Sequence, residues 1–86
     1  MIIKFHKKFE KRYVKYMPKL RKQVDIRIQM FLQNPYNPIL NNHPLHGKFE
    51  GDFSINITGD IRAIYTTVDD GVIKFIRIGT HSELYE

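Results

Sequence analysis

The feature that most constrains the fold is a change in the spacing of apolar residues near Gly51. Between residues 7 and 33, apolar side chains recur every three or four positions, as in helices that pack on one side. After Gly51 apolar and polar residues alternate, so that Phe53, Ile55 and Ile57 would share one face of a strand. A chain with helices first and strands afterwards favours an α+β fold.

The helical part predicts two consecutive helices. The first places Phe9, Tyr13, Tyr16 and Met17 at helical spacing. Pro18 fits the first turn of the second helix, where its missing N–H is not needed, and Asn34-Pro35 ends that helix. The second helix is expected to bury Leu20, Val24, Ile28, Phe31 and Leu32.

Strands are predicted on both sides of the helices: "MIIKF" at the start and three strands after Gly51. Gly59-Asp60 predicts a two-residue hairpin turn with a positive φ at Gly59, and Asp69-Asp70-Gly71 predicts a second turn. The last strand has apolar residues on both faces and is expected to be central. The order is therefore β-α-α-β-β-β, with the helix hairpin on a mainly antiparallel four-stranded sheet. A short C-terminal turn completes one domain over residues 1–86.

The charge of the chain is unevenly distributed. Residues 1–30 carry ten Lys and Arg against two acidic residues, about +8, whereas residues 31–86 carry four against seven, about −3. Such asymmetry indicates a polyanionic partner for one face, and a solvated basic helix surface is the alternative.

The amino-acid composition limits the cellular compartments and the catalytic groups that are possible for this chain. The chain has no cysteine, which excludes disulfides and thiolate catalysis and suits a reducing compartment. No apolar run approaches the roughly 20 residues of a membrane span, and the charged N-terminus does not resemble a secretory signal. We therefore expect a soluble, cytoplasmic protein without a cofactor.

Three segments carry residues suited to proton transfer and phosphate binding. The loop at 35–52 has His43, His46 and Lys48, the first hairpin has Asp60 and Arg62, and the tail has His81 and Tyr85. Metal-free RNA cleavage needs a base, a cation for the phosphoryl charge and an acid for the leaving oxygen. Each residue also has a structural interpretation: an ion pair between the hairpin residues, or an aromatic plug at the tail.

Two other possible histidine roles, a functional role for His6 and a metal-binding histidine pair, are not expected. His6 precedes the first helix and is expected to cap it or to lie on the surface. His43 and His46 form an H-P-L-H pair, but without cysteine or a nearby carboxylate pair a metal site is not expected there.

The stretches "HPLHGKFEG", "GDIRAIY" and "IGTHSELY", in this order, resemble the RelE/ParE superfamily of type II toxin–antitoxin toxins, most closely its YafQ-like branch. The resemblance spans nearly the whole chain and includes the basic helices. It implies a RelE-like fold and a small toxin that cuts mRNA in the ribosomal A site by metal-free 2′-OH attack. It also implies a cognate antitoxin protein as a partner, with mRNA and ribosomal RNA as the others.

The resemblance also implies roles for residues that match the family motifs. His43 matches the histidine of the H-P-L-x-G loop, and Asp60 matches the hairpin aspartate. His81 would be the principal proton-transfer residue, Tyr85 matches the aromatic four positions later, and Arg62 matches a phosphate-binding arginine. The remaining positively charged candidates for RNA binding are Lys48, His46, Lys8, Lys11, Lys15, Lys19 and Lys22.

The chain departs from the YafQ-like pattern at two strand positions, where Asn56 replaces a histidine and Ser54 replaces an aspartate. RelE-type toxins have an arginine where this chain has His81. The general base is therefore open between His43, which we favour, and Asp60.

Two alternatives within the same fold are a ParE-like inhibitor of DNA gyrase and a degenerate toxin that only binds antitoxin or RNA. The combination of His81, Arg62 and Tyr85 favours the nuclease, because a gyrase binder does not need it.

Overall fold

A five-stranded sheet with two helices on one face organises the chain, and the computed structural model describes residues 1–85. The elements are β1 (Ile2–Phe5), α1 (Lys7–Lys15), α2 (Pro18–Gln33), β2 (His43–Pro44), β3 (Asp52–Asn56), β4 (Ile61–Asp69), β5 (Val72–Thr80) and α3 (His81–Tyr85). The strand order is β1-β5-β4-β3-β2; β1 runs parallel to β5 and the other pairs are antiparallel. The predicted α+β class is confirmed. The one added strand is β2, within the stretch predicted as a loop.

The second helix begins and ends where the sequence predicts, whereas α1 ends at Lys15, before the predicted Tyr16 and Met17, and Met17 is exposed. His6 caps α1 by accepting a hydrogen bond at Nδ1 from the Lys8 N–H (3.0 Å), Pro18 starts α2 and Asn34 ends it. The Tyr13 hydroxyl donates to Asp25 Oδ1 (2.7 Å), which joins the helices and raises the pKa of Tyr13. No helix in residues 1–85 is long and apolar enough to cross a membrane.

One predicted core residue of α2 is wrong. Val24, Ile28 and Phe31 are buried, but Leu32 is 39% exposed. At about 100° per residue, Leu32 lies roughly 80° around the helix from Val24, at the margin of the buried stripe.

The core lies between the helices and one face of the sheet, which we call the helix face and which carries Ile55, Ala63 and Ile78. Its centre is aromatic. The Phe75 ring lies 5.5 Å from both Phe31 and Tyr65, at inclined angles that aromatic rings prefer. Close packing of large rings is therefore the main contact between helices and sheet.

A β-bulge in β5 places Phe75 and Arg77, which are two residues apart, on opposite faces of the sheet. Tyr65 pairs with Phe75 whereas Ile64 pairs with Arg77, so Ile76 is an extra residue in β5. Because paired residues share a face and successive residues alternate, Phe75 faces the helices and Arg77 faces away. The bulge explains why the apolar residues of this strand fall on both faces. Its predicted central position is confirmed, since it pairs with β1 and β4.

The two hairpin turns differ from each other in backbone conformation. The turn before β5 has Gly71 at φ 70°, which confirms a glycine-dependent turn at the predicted position. The predicted positive φ at Gly59 is wrong. There the Thr58 hydroxyl accepts hydrogen bonds from the N–H groups of Asp60 (3.3 Å) and Ile61 (3.0 Å), and this side-chain turn needs no left-handed residue.

Candidate active site

The face of the sheet away from α1 and α2, which we call the open face, carries two rows of paired residues. The first row crosses β2 to β5 and consists of His43, Ser54, Ile64 and Arg77. The second row consists of Asn56, Arg62 and Gly79. The predicted residues of loop, hairpin and last strand therefore share one surface.

The tail folds back onto the open face beside β5. Leu84 is 5% exposed, and it lies outside the main core cluster. Arg77 Nη1 donates a hydrogen bond to the Leu84 carbonyl (2.9 Å). The predicted anchoring role of Leu84 is confirmed, and Arg77 fixes the end of the tail.

The tail is a helix, α3, that begins with a capping box. The Thr80 N–H donates to Glu83 Oε1 (2.8 Å), and the Glu83 N–H donates to Thr80 Oγ1 (3.2 Å). The hydrogen bond from the Thr80 N–H is the main cause of a lowered pKa of Glu83, and the nearby Arg12 lowers this pKa further. The sequence T-H-S-E at 80–83 thus makes an ordered start for a segment at the end of the chain.

An aromatic ladder runs from the tail to the loop. The His81 ring centroid lies 4.7 Å from that of Tyr85, which in turn lies 5.5 Å from Phe49, nearly perpendicular at 81°. Phe49 is also contacted by two cations: Lys48 Nζ lies 5.2 Å and Arg77 Cζ 4.6 Å from its ring centroid. The structure therefore brings together His81, Tyr85 and Lys48 as predicted, on a platform that includes Phe49 and Arg77.

The hairpin residues lie at the same end of the sheet as the start of α3. Ile61 pairs with Thr80, so the turn that contains Asp60 is beside His81 in the register. Asp60 is exposed. Arg62 Nη1 donates to the carbonyls of Thr58 (3.2 Å) and Gly59 (3.0 Å).

The alternative interpretation, an ion pair between Asp60 and Arg62, is not formed. The one ion pair within residues 1–85 joins Arg12 Nη1 to Glu83 Oε2 at 2.6 Å. Arg62 instead braces its own turn.

The loop histidines lie toward the other edge of the sheet. His43 is half-buried on β2, and its Nδ1 lies 2.7 Å from the Asn41 carbonyl oxygen. Two strands separate it from Arg77, a span of about 14 Å at the usual strand spacing. His46 is exposed. Within the described part of the chain, no cluster of three or more potential metal ligands is found.

Two members of the site were not among the predicted site residues. The sequence shows Arg77 only as part of an apolar strand, and no pattern in the sequence gives Phe49 a role in the site. The signal for Arg77 was a cation among the apolar residues of that strand, but its direction depends on the bulge at Ile76, which alternation alone does not show.

Three buried polar atoms on the open face have no hydrogen-bond partner among the described residues: Ser54 Oγ, Asn56 Oδ1 and Arg77 Nη2. Buried polar atoms without partners are rare in folded proteins and recur at functional sites. The two strand positions that depart from the family pattern, Ser54 and Asn56, are both in this set.

The basic residues of the helices fall into two groups. Lys8, Lys11, Arg12 and Lys15 recur at helical spacing and line a groove of about 610 Å³ between α1 and α3. Arg77 and Leu84 also line this groove. Lys19 and Lys22 are exposed on α2, away from that groove.

This sheet, with two helices on one face, has the fold of YafQ and RelE-like toxins. Solved structures with this fold include YafQ from E. coli strain BL21(DE3), at 24% identity and TM-score 0.78, covering 98% of this chain and 97% of that one. They also include a YoeB/ParE toxin from Agrobacterium tumefaciens, at 19% identity and TM-score 0.78 over 94% and 99% of the two chains. YafQ in an E. coli DinJ–YafQ complex matches at 20% identity and TM-score 0.74, over 98% and 97%.

The family model described as "Bacterial toxin of type II toxin-antitoxin system, YafQ" matches residues 1–86. The chain belongs to this YafQ family of toxins. No curated protein sequence matches it significantly.

Proposed function

We propose that this toxin is a ribosome-dependent endoribonuclease that cuts mRNA in the A site. The observation that carries the proposal is the ladder of His81, Tyr85 and Phe49, braced by Arg77 and Lys48. It places an exposed imidazole and two cations on one surface, which are the groups that cleavage next to a 2′-hydroxyl requires. Family membership and the YafQ-like fold support the same reaction.

In this reaction the 2′-oxygen attacks the adjacent phosphorus, the bond from phosphorus to the 5′-oxygen breaks, and a 2′,3′-cyclic phosphate forms. A base takes the 2′-hydroxyl proton and an acid gives a proton to the leaving 5′-oxygen. His81 transfers one of these protons, because an imidazole can both accept and donate a proton and this side chain is exposed. Tyr85 holds the imidazole by ring contact and offers a face on which a base can stack.

Arg77 and Lys48 supply positive charge to the phosphoryl oxygens. Arg77 Nη1 holds the tail, and Nη2 is buried without a partner among the described residues, so Arg77 acts on the phosphate through its fixed positive charge. Arg62 would have to release the carbonyls of Thr58 and Gly59 to bind phosphate, and we assign it that role only in the ribosome-bound state.

The register favours Asp60 as partner to His81, because Asp60 lies at the end of the sheet where α3 begins. Two strands separate His43 from Arg77, and His43 Nδ1 bonds the Asn41 carbonyl oxygen. This position suits a contact with the next nucleotide, or a general base that acts only after RNA binds. A comparison of Asp60→Asn with His43→Gln in cleavage separates these two roles.

The partners we propose are mRNA, ribosomal RNA and an antitoxin protein. The lysines at 8, 11, 15, 19, 22 and 48, together with His46, would bind backbone phosphates, which attract cations irrespective of sequence. The structure of a DinJ–YafQ complex supports an antitoxin partner. The segment of the antitoxin that binds this toxin should be acidic, because it would then complement the basic helices.

The test is single-turnover cleavage on programmed ribosomes by wild type, His81→Ala and Ser82→Ala. Loss of a proton-transfer residue should slow cleavage by about 10²–10⁴-fold. Ser82 is the matched control because it is the neighbouring exposed tail residue. Thermal melts show whether each variant folds.

Two outcomes would replace the proposal. A folded His81→Ala protein that cuts at the wild-type rate removes His81 from the chemistry. Growth arrest with intact mRNA and double-strand DNA breaks would support gyrase inhibition instead.

A further inference from the structure

An ion pair joins the tail to the first helix. Arg12 Nη1 contacts Glu83 Oε2 at 2.6 Å, and both side chains are nearly half exposed, at 43% and 47%. Strand β1 pairs with β5 only as far as Phe75, so the later edge of β5 has no neighbouring strand, and Arg12 reaches the tail there. The contact joins two segments that are far apart in the sequence.

Glu83 takes part in two interactions through its two oxygens. Oε1 accepts the hydrogen bond of the Thr80 N–H and completes the capping box, whereas Oε2 contacts Arg12. The same carboxylate therefore starts α3 and fixes its direction relative to α1. His81 lies between Thr80 and Glu83, so its position follows from that of the capped turn.

Gly79 leaves the space in which these two side chains meet. A Cβ atom at this position would lie 3.0 Å from Arg12 Nη1 and 3.0 Å from Glu83 Oε1. Such distances are tighter than ordinary van der Waals contact, and the two ends would have to move apart. Glycine is needed here because the side chains of Arg12 and Glu83 approach its backbone closely. A positive φ is not the reason, since Gly79 has none.

We infer that Arg12 and Glu83 are positioning residues that hold His81 over the open face during RNA cleavage. We call this pair, together with Thr80 and Gly79, the tail clasp. The inference rests on the proposed nuclease function. It assigns to Arg12 a role distinct from those of Lys8, Lys11 and Lys15, which line the same groove.

The clasp should act on the reaction rate more than on global stability. An exposed ion pair contributes little to folding, because water screens it and both side chains lose freedom. Displacement of a reacting group by about 1 Å can cost 10²-fold in rate. We therefore expect clasp variants to melt close to wild type and to cleave roughly 10- to 100-fold more slowly.

Four variants separate the two functions of Glu83. Glu83→Gln keeps an oxygen for the Thr80 N–H but removes the charge that faces Arg12. Glu83→Ala removes both interactions, Arg12→Ala removes only the pair, and Gly79→Ala pushes the partners apart. Lys7→Ala is the charge-matched control on α1 for Arg12→Ala, and Ser82→Ala is the control in the tail.

The first readout is the nuclear Overhauser effect between the rings of His81 and Tyr85 and between those of Tyr85 and Phe49. Glu83→Ala should weaken both signals strongly, and Glu83→Gln, which loses only the pair with Arg12, should weaken them partly. Lys7→Ala and Ser82→Ala should match wild type. This readout needs no enzymatic activity, so it tests the clasp even if wild type does not cleave RNA, an outcome that would reject only the proposed function.

The second readout is a double-mutant cycle in single-turnover cleavage at saturating ribosomes. If the clasp acts as a pair, Arg12→Ala should have no further effect in the Glu83→Gln background. If Arg12 only contacts RNA, its effect would be additive and would appear in the ribosome concentration for half-maximal rate. Additive effects, or unchanged ring signals in Glu83→Ala, would overturn the inference.

Discussion

The two faces of the sheet are built from the same strands but differ in what they bury. The helix face buries a continuous apolar cluster in which the Phe75 ring has neighbours at 5.5 to 6.0 Å. The open face also buries apolar residues, Ile64 and Leu84, but among them lie polar atoms of Ser54, Asn56 and Arg77 without partners. Among the described residues, the helix side has one buried polar atom without a partner, the Tyr16 hydroxyl, whereas the open face has three.

Because side chains alternate between the two faces along each strand, successive residues contribute either to the stability of the core or to the active surface. In β4, Ala63 and Tyr65 pack under the helices, while Arg62 and Ile64 face the tail. A substitution in this strand should therefore affect folding or activity according to which face its side chain occupies.

The largest expected effect comes from breaking the helix face. Phe75→Ala removes a fully buried ring that contacts four other rings, and the expected loss is about 3–5 kcal/mol of the free energy of unfolding. A chain of 86 residues has a total of roughly 4–13 kcal/mol, so the variant should be partly or wholly unfolded. Urea denaturation followed by circular dichroism measures this. A loss below about 1 kcal/mol would contradict a core centred on this ring.

A matched truncation on the open face should have a smaller and more local effect. Leu84→Ala removes the buried side chain that anchors α3, and it should destabilise the packing of α3 on the sheet by about 2 kcal/mol. The effect should be local, because a short terminal helix can detach without unfolding the sheet. Hydrogen exchange should show protection lost at α3 and kept in β4. Equal loss of protection in both segments would mean that the two faces are not independent.

The smallest effect concerns pH and is confined to the open face. The pKa of Glu83 is lowered in the folded protein, chiefly by the Thr80 N–H, so its ionised form favours folding. That contribution is present above the ordinary glutamate pKa of about 4.3 and is lost as the pH falls through the lower, folded value. The stability difference between wild type and Glu83→Gln should thus shrink below about pH 4. A difference that stays constant from pH 7 to pH 3 would contradict the stabilising role of the ionised carboxylate.

The sequence predicted most elements because their signals are local. Pro18 and Asn34 delimit α2, and the alternation from Phe53 to Ile57 marks the strand and its buried side. Tail residues His81 and Tyr85 were predicted to lie together, and they do at 4.7 Å between ring centroids.

The errors arose where a distant partner or a side chain decides the local structure. Strand β2 exists because His43 and Pro44 pair with β3, although two residues give no periodic signal. The Thr58 hydroxyl, not Gly59, orders the first turn. The capping box was present in T-H-S-E, but its use depends on Leu84 finding a buried position.

The extra residue in β5 has a consequence for mutational tolerance. Substitution of Ile76 changes one half-buried side chain, which a chain of this kind can absorb. Loss of the three nucleotides that encode it would remove the bulge and leave the pairing of the strand unchanged. Phe75 and Arg77 would then be successive residues opposite Tyr65 and Ile64, so regular alternation would keep Phe75 under the helices and Arg77 on the open face. Position 76 should therefore accept many amino acids and also a single deletion in a mutational scan.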